Sequence, residues 1–109
     1  MGETQISKAI RDALKKAGYR CERVNAGMVK VAGGFMHLAS KGTPDMLVMG
    51  VRKAICGCAI VCWLETKTAI GKLNEHQIAW HAWAKDAGIN VDVVRSAEEA
   101  LEAVGKWVN

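Results

Sequence analysis

Ala59-Ile60-Val61-Cys62-Trp63-Leu64-Glu65-Thr66-Lys67-Thr68 is the stretch around which the rest of the chain is organised. Its apolar, β-branched start reads as a strand buried on both faces. The character then changes without a turn signal, because Glu65, Thr66 and Lys67 follow Leu64 directly. Side chains alternate along a strand, so Val61, Trp63, Glu65 and Lys67 share one face. A carboxylate and an ammonium group therefore stand together at the mouth of an apolar strand, where burying either alone is costly. A structural ion pair at the strand end would meet that cost with no further chemistry.

The preceding run argues for more. Lys41-Gly42-Thr43-Pro44-Asp45 leads into Met46-Leu47-Val48-Met49, and Pro44 is the only proline in the chain. It fixes the backbone at the entrance of a second short strand. Asp45 sits where strands disfavour its type. The connection from Val51 to Gly57 is too short for a helical crossover, which predicts antiparallel pairing of residues 46–50 with residues 59–67. Such a hairpin sets the start of one strand beside the end of the next, so Asp45 and Glu65 become neighbours. Converging carboxylates repel unless a hard cation lies between them, and Mg²⁺ is commonly held by one or two carboxylates with water and substrate phosphate. That arrangement suits metal-assisted hydrolysis of a phosphodiester.

Pro44-Asp45 followed by Glu65-Thr66-Lys67 resembles the PD-(D/E)xK nuclease signature. A wider frame narrows the resemblance: Glu3 near the start of a first helix, Lys41-Gly42-Thr43 before the Pro-Asp pair, Gly71-Lys72-Leu73 and Gln77 after Lys67, and the closing Gly88-Ile89-Asn90-Val91-Asp92-Val93-Val94. In this order, over nearly the whole chain, the set resembles the VRR-NUC (virus-type replication-repair nuclease) family in its short stand-alone form. The resemblance implies an α/β fold with a restriction-endonuclease-like core, a mixed central sheet flanked by helices. It also implies an endonuclease dependent on Mg²⁺ or Mn²⁺, with no small-molecule cofactor. Glu3, Asp45 and Glu65, with the carbonyl of Thr66, would hold the metal, and Lys67 would serve the attacking water and the phosphate. Lys41, Lys72, Gln77 and Arg23 would contact nucleic acid. The same resemblance implies a homodimer acting on branched DNA in repair, in the manner of a Holliday junction resolvase. Two rivals stand beside it: an end-processing or restriction-like nuclease with the same core, and a non-catalytic nucleic-acid-binding module.

Bulk properties agree with one domain over residues 1–109, long enough to bury a modest core. No signal pattern or bilayer-length apolar run is present, which predicts a cytoplasmic setting in a prokaryote or virus. Residues 1–72 hold twelve Lys/Arg and five Asp/Glu, whereas residues 73–109 hold three and six. A basic rim around an acidic centre suits a polyanion approaching a cation, although many solvated surfaces carry such an asymmetry. Arg20, Arg23, Lys30 and Lys41 are candidate phosphate contacts if they share a side with the acids. Arg52 and Lys53 are expected to be exposed in the loop after the Met46 strand. Cys21, Cys56, Cys58 and Cys62 lack zinc-site spacing and read as reduced structural thiols.

Residues Thr4 to Ala17 read as a helix with an apolar stripe of Ile6, Ala9, Ile10, Ala13, Leu14 and Ala17, closed by Gly18. Glu3 lies on that inward stripe, where an acid would also simply complement the helix dipole. Tyr19 to Val24 and Met28 to Ala32 read as strands, with Gly33-Gly34 as a tight turn. Asn25 and Gly27, between those strands, receive no role. Asn74 to Gln77 forms a capping box for a helix running to Ala87, with Trp80 and Trp83 expected to be core or subunit contacts. Gln77 therefore has two readings, the cap alone or a reach into the site. His76 and His81 are mis-spaced for a helical metal pair and read as non-ligands. A short edge strand, Asn90 to Val94, and a last helix capped by Ser96 with Glu99 complete the pattern.

Overall fold

A computed structural model describes residues 2–24, 28–37, 39–52 and 56–108. Asn25, Gly27 and Lys53 lie outside the described residues. The order is α1 (Glu3–Lys16), β1 (Arg20–Arg23), β2 (Met28–Val31), β3 (Gly34–His37), β4 (Met46–Arg52) and β5 (Cys58–Thr66). Helix α2 (Glu75–Asp86), strand β6 (Asn90–Val94) and helix α3 (Ala97–Val108) follow.

The hairpin of β4 and β5 is the centre of a four-stranded sheet ordered β1-β4-β5-β6. Strand β4 runs antiparallel to β1 and β5, with Met46 opposite Leu64, while β6 runs parallel to β5. Helix α2 supplies the crossover that a parallel neighbour demands. The sheet is therefore mixed and flanked by helices, as expected.

Alternation sorts the sheet's two faces. Met46, Val48, Cys62 and Leu64 meet Ile10 and Leu14 of α1 and Ala100 and Val104 of α3, and all eight are fully buried. Burying each large aliphatic among them stabilises the fold by roughly 1.5–3 kcal/mol. The opposite face is covered by α2 mainly over β6, where Val91, His81 and Ala84 are buried. Trp63 meets the edge of Trp80 at a ring separation of 5.3 Å.

Strand β5 is thus not buried on both faces throughout, because Val61 is 46% exposed where α2 does not reach. Trp83 likewise lies open at 61% exposure, so it is no core residue of this chain. Arg52 is the last residue of β4 and half-buried, since the strand runs two residues past Gly50.

Strands β2 and β3 form a separate two-stranded ribbon in which Val31 pairs with Gly34. Its turn is Ala32-Gly33, one residue earlier than expected, with Gly33 at φ 91°. Two of the four cysteines depart from the expected reduced state. Cys56 and Cys58 form a disulfide across Gly57, whose φ of 68° turns the chain so that the two Cα atoms lie 5.1 Å apart, within disulfide range. Cys21 and Cys62 are free and buried, and burial pushes their thiols up to about 11 and about 12. Among the described residues no helix is long and apolar enough to cross a membrane.

Candidate active site

The register of β4 and β5 brings the start of one strand beside the end of the other, and with them two acids. The Thr66 backbone N–H donates to Asp45 Oδ1 at 2.9 Å. On the other side, the Val24 N–H donates to the Asp45 carbonyl at 2.8 Å. Asp45 is therefore fixed from both neighbouring strands by backbone donors.

Glu65 is 3% exposed, and its Oε1 is buried with no hydrogen-bond partner among the described residues. Burial, then the adjacent Asp45 and then Glu3 push its carboxyl up from 4.5 to about 8, while Lys67 pulls it the other way. Burial also raises Asp45, offset in part by the Thr66 N–H.

A cavity of about 270 Å³ opens beside the pair, and Glu3, Arg23, Thr43 and Gln77 stand in its charged and polar wall. Glu3 is an exposed residue in the first turn of α1 and lines the cavity from that helix. At the N-terminus of α2, the Asn74 N–H donates to Gln77 Oε1 and the Gln77 N–H donates to Asn74 Oδ1, each at 2.9 Å. Gln77 closes the cap and also stands in the cavity lining. Its oxygen is held by the cap, so the amide nitrogen is the end left to donate.

The other candidates lie farther out. Thr66 is wholly buried behind the acids and presents its backbone there. Lys67 follows the end of β5, half-buried, and its N–H donates to the Val94 carbonyl at 3.1 Å. It does not line the cavity but lies within the field of Glu65. Lys41 and Lys72 are exposed and likewise outside the lining.

Three contributors were not singled out from the sequence. Thr4 and Ser7 line the cavity beside Glu3. Ser7 lies four residues after Glu3, so helical spacing alone carried that signal. Arg95 Nη1 donates to the carbonyls of Thr68 and Gly71 at 2.5 and 2.7 Å, pinning the loop that follows Lys67. Nothing local in the sequence announces that contact, which spans more than twenty residues.

Among the described residues no three His, Cys, Asp or Glu side chains close on one point tightly enough to ligate a single ion. The donor chemistry nevertheless fits a hard cation of the Mg²⁺ type. Such an ion needs only one or two carboxylates beside its waters. Asp45 and Glu65 supply two, and an orphaned buried oxygen on Glu65 is a donor atom awaiting a partner.

Without a cation the pair is a liability whose sign can be measured. Between pH 4.5 and about 8 the folded protein keeps a proton on Glu65 that the unfolded chain has released. Stability of the metal-free protein should therefore fall as pH rises through that window, by on the order of a few kcal/mol. Melting in EDTA from pH 5 to 8 tests this, and a flat profile would show that Glu65 is not held in its neutral form.

An oxygen-rich cavity at the end of a mixed α/β sheet, lined by two neighbouring carboxylates, defines a candidate cation-dependent active site. One solved structure, described as a VRR_NUC domain, matches this chain with a TM-score of 0.65 over 96% of each chain at 21% sequence identity. The chain thus shares the fold of that domain. No sequence-family profile matches it, and no curated protein matches it significantly.

Proposed function

We propose that this chain is a divalent-cation-dependent DNA endonuclease, acting as a homodimer on branched DNA. The observation that carries the reading is the juxtaposition of Asp45 and a buried Glu65, whose Oε1 has no partner among the described residues, in a cavity walled also by Glu3, Arg23 and Gln77. The shared fold with a VRR_NUC domain supports the same reaction class. Branch specificity and pairing of two copies rest on the resemblance of the ordered motifs.

Asp45 and Glu65, with the Thr66 carbonyl, would hold Mg²⁺ or Mn²⁺, and Glu3, too far to join them on one ion, would meet it through water from across the cavity. A bound cation supplies Lewis-acid stabilisation of the charge that builds on the scissile phosphate. Arg23 and the Gln77 amide donate to phosphate oxygens, fixing the strand across the cavity. Lys67, outside the lining but near enough to act on Glu65 through its charge, would offset negative charge on the reacting phosphate and reach the attacking water only by moving into the cavity. Water adds to phosphorus as it gives up a proton to solvent through this polar wall, the P–O bond to one sugar oxygen breaks, and that oxygen leaves as a hydroxyl by taking a proton from solvent, the other fragment keeping the phosphate monoester.

The test pairs a four-way junction with a linear duplex of the same sequence, in Mg²⁺, Mn²⁺ or EDTA. Junction cleavage is expected with either metal and none in EDTA, with the duplex cut at least about tenfold more slowly, a difference of roughly 1.4 kcal/mol in transition-state binding. Equal rates on both substrates would remove the branched-DNA assignment in favour of an end-processing or restriction-like role. Binding without cleavage in any metal would leave a nucleic-acid-binding module.

A further inference from the structure

Lys67 is held by a frame built from the neighbouring strand. In the parallel pairing of β5 and β6, Thr66 stands opposite Val94, so Lys67 follows one strand where Arg95 follows the other. The Lys67 N–H donates to the Val94 carbonyl at 3.1 Å, which ties its backbone to the residue before Arg95. Residues 68–71 then turn back, closed by the Gly71 N–H donating to the Thr68 carbonyl at 3.1 Å. A Cβ added at Gly71 would meet Lys67 Cδ at 3.5 Å, so the lysine stem rests against this turn.

Arg95 grips the turn at both ends. Its Nη1 carries two hydrogens, and they go to the carbonyls of Thr68 and Gly71 at 2.5 and 2.7 Å. Hydrogen bonds from a cationic donor are the short, strong kind. Arg95 is half-buried between β6 and α3, where the Glu99 N–H donates to Ser96 Oγ at 3.1 Å and caps the helix. The guanidinium is thus anchored on regular elements, whereas the turn it grips belongs to no strand or helix. Ile70 within the turn is 90% exposed, so little apolar burial holds it in place.

We propose that Arg95 is a positioning residue for Lys67: by gripping the turn against which the lysine stem rests, it fixes the pivot from which the amine swings toward the reacting phosphate. This rests on the nuclease reading and adds to it a residue that itself touches no substrate. With the grip released, the turn opens, the stem loses its wall and the amine drifts into solvent. Cleavage then slows without a matching loss of binding.

Two variants of the full chain test it. Arg95→Met keeps the aliphatic stem and removes both hydrogen bonds, and Arg95→Lys keeps a cation within reach of a carbonyl. Single-turnover cleavage at saturating DNA in Mn²⁺ is compared with DNA affinity, in the parent and in a Lys67→Met background, with folding followed by circular dichroism. Arg95→Met should slow cleavage about tenfold with affinity within about twofold, and Arg95→Lys should slow it only about threefold. In the Lys67→Met background the same change to Met should cost less than about twofold, because the group it acts through is gone. Equal slowing in both backgrounds, or none in either, overturns the positioning role and leaves the nuclease reading intact. Two readouts need no turnover and decide the matter if Lys67→Met is inactive. Trypsin should cut after Lys67 about tenfold faster in Arg95→Met, and nuclear magnetic relaxation at Lys67 Cε should report greater motion. A parent-like result in either overturns the grip. Arg95→Lys decides by the same readouts if Arg95→Met does not fold. A parent protein that cleaves no DNA overturns the nuclease reading and the positioning role with it.

Discussion

Glu65→Gln is expected to abolish metal-dependent cleavage, a loss on the order of 10³-fold or more, while making the metal-free protein more stable. The two effects have one origin. Glu65 is almost wholly buried beside Asp45, with an oxygen that no described residue satisfies. Its carboxyl is pushed up to about 8, chiefly by burial. Glutamine keeps the volume and removes the ionisation, so it relieves a strain on the order of a few kcal/mol at pH 8. It also removes the charge with which a cation would be held. A residue serving only the fold would show the opposite, destabilisation on replacement and no selective loss of turnover. Cleavage rates and urea midpoints in EDTA, at pH 6 and pH 8, separate the two. Asp45→Ala should lose cleavage equally yet keep its affinity for a junction, since Arg23 and Gln77 remain. Retained activity in both variants would remove the catalytic assignment altogether.

What made this site legible was a hairpin. Pro44 marks where β4 begins, the short connection after it forces antiparallel pairing, and alternation sends Leu64 inward with Glu65 on the opposite face. Local chemistry likewise announced the α2 cap, because Asn74 and Gln77 satisfy each other within four residues. Contacts that depend on distant packing were not legible in this way. Alternation placed Lys67 with Glu65, but the chain is already beyond the strand there, and Lys67 stands outside the cavity lining. Lys41 and Lys72 were singled out by position in a motif, and each lies on the surface beyond the wall. Arg95 went unnoticed because its partners are carbonyls, which leave no trace in composition. The apolar run of β5 suggested cover on both faces, whereas α2 reaches only its end, and composition cannot tell a covered face from an open one.

Gly42→Ala is the substitution outside the acids with the largest expected cost, and the reason is a close approach rather than a lost interaction. Gly42 has a φ of 88° in the turn that the Thr43 N–H closes on the Ser40 carbonyl at 3.2 Å, the third position of a β-turn that favours glycine. It also abuts the first turn of α2. A Cβ there would fall 2.2 Å from the His76 carbonyl oxygen and 2.5 Å from its carbon, both backbone atoms. A rotamer change cannot relieve that overlap, so the turn and the helix must separate. Backbone strain and overpacking together are expected to cost on the order of 3 kcal/mol, a fall in Tm of about 10–20 °C. Separation would also carry Thr43 away from Gln77 across the cavity, so turnover at a permissive temperature should drop along with stability. Gly18→Ala is the control that isolates the two terms. Gly18 has a comparable φ of 97° but nothing within 4 Å of its added Cβ, so it should lose only about 1 kcal/mol and no turnover. If the two alanine variants melt together and cleave alike, the turn does not rest against α2, and the Lys41-Gly42-Thr43 segment has no part in shaping the cavity.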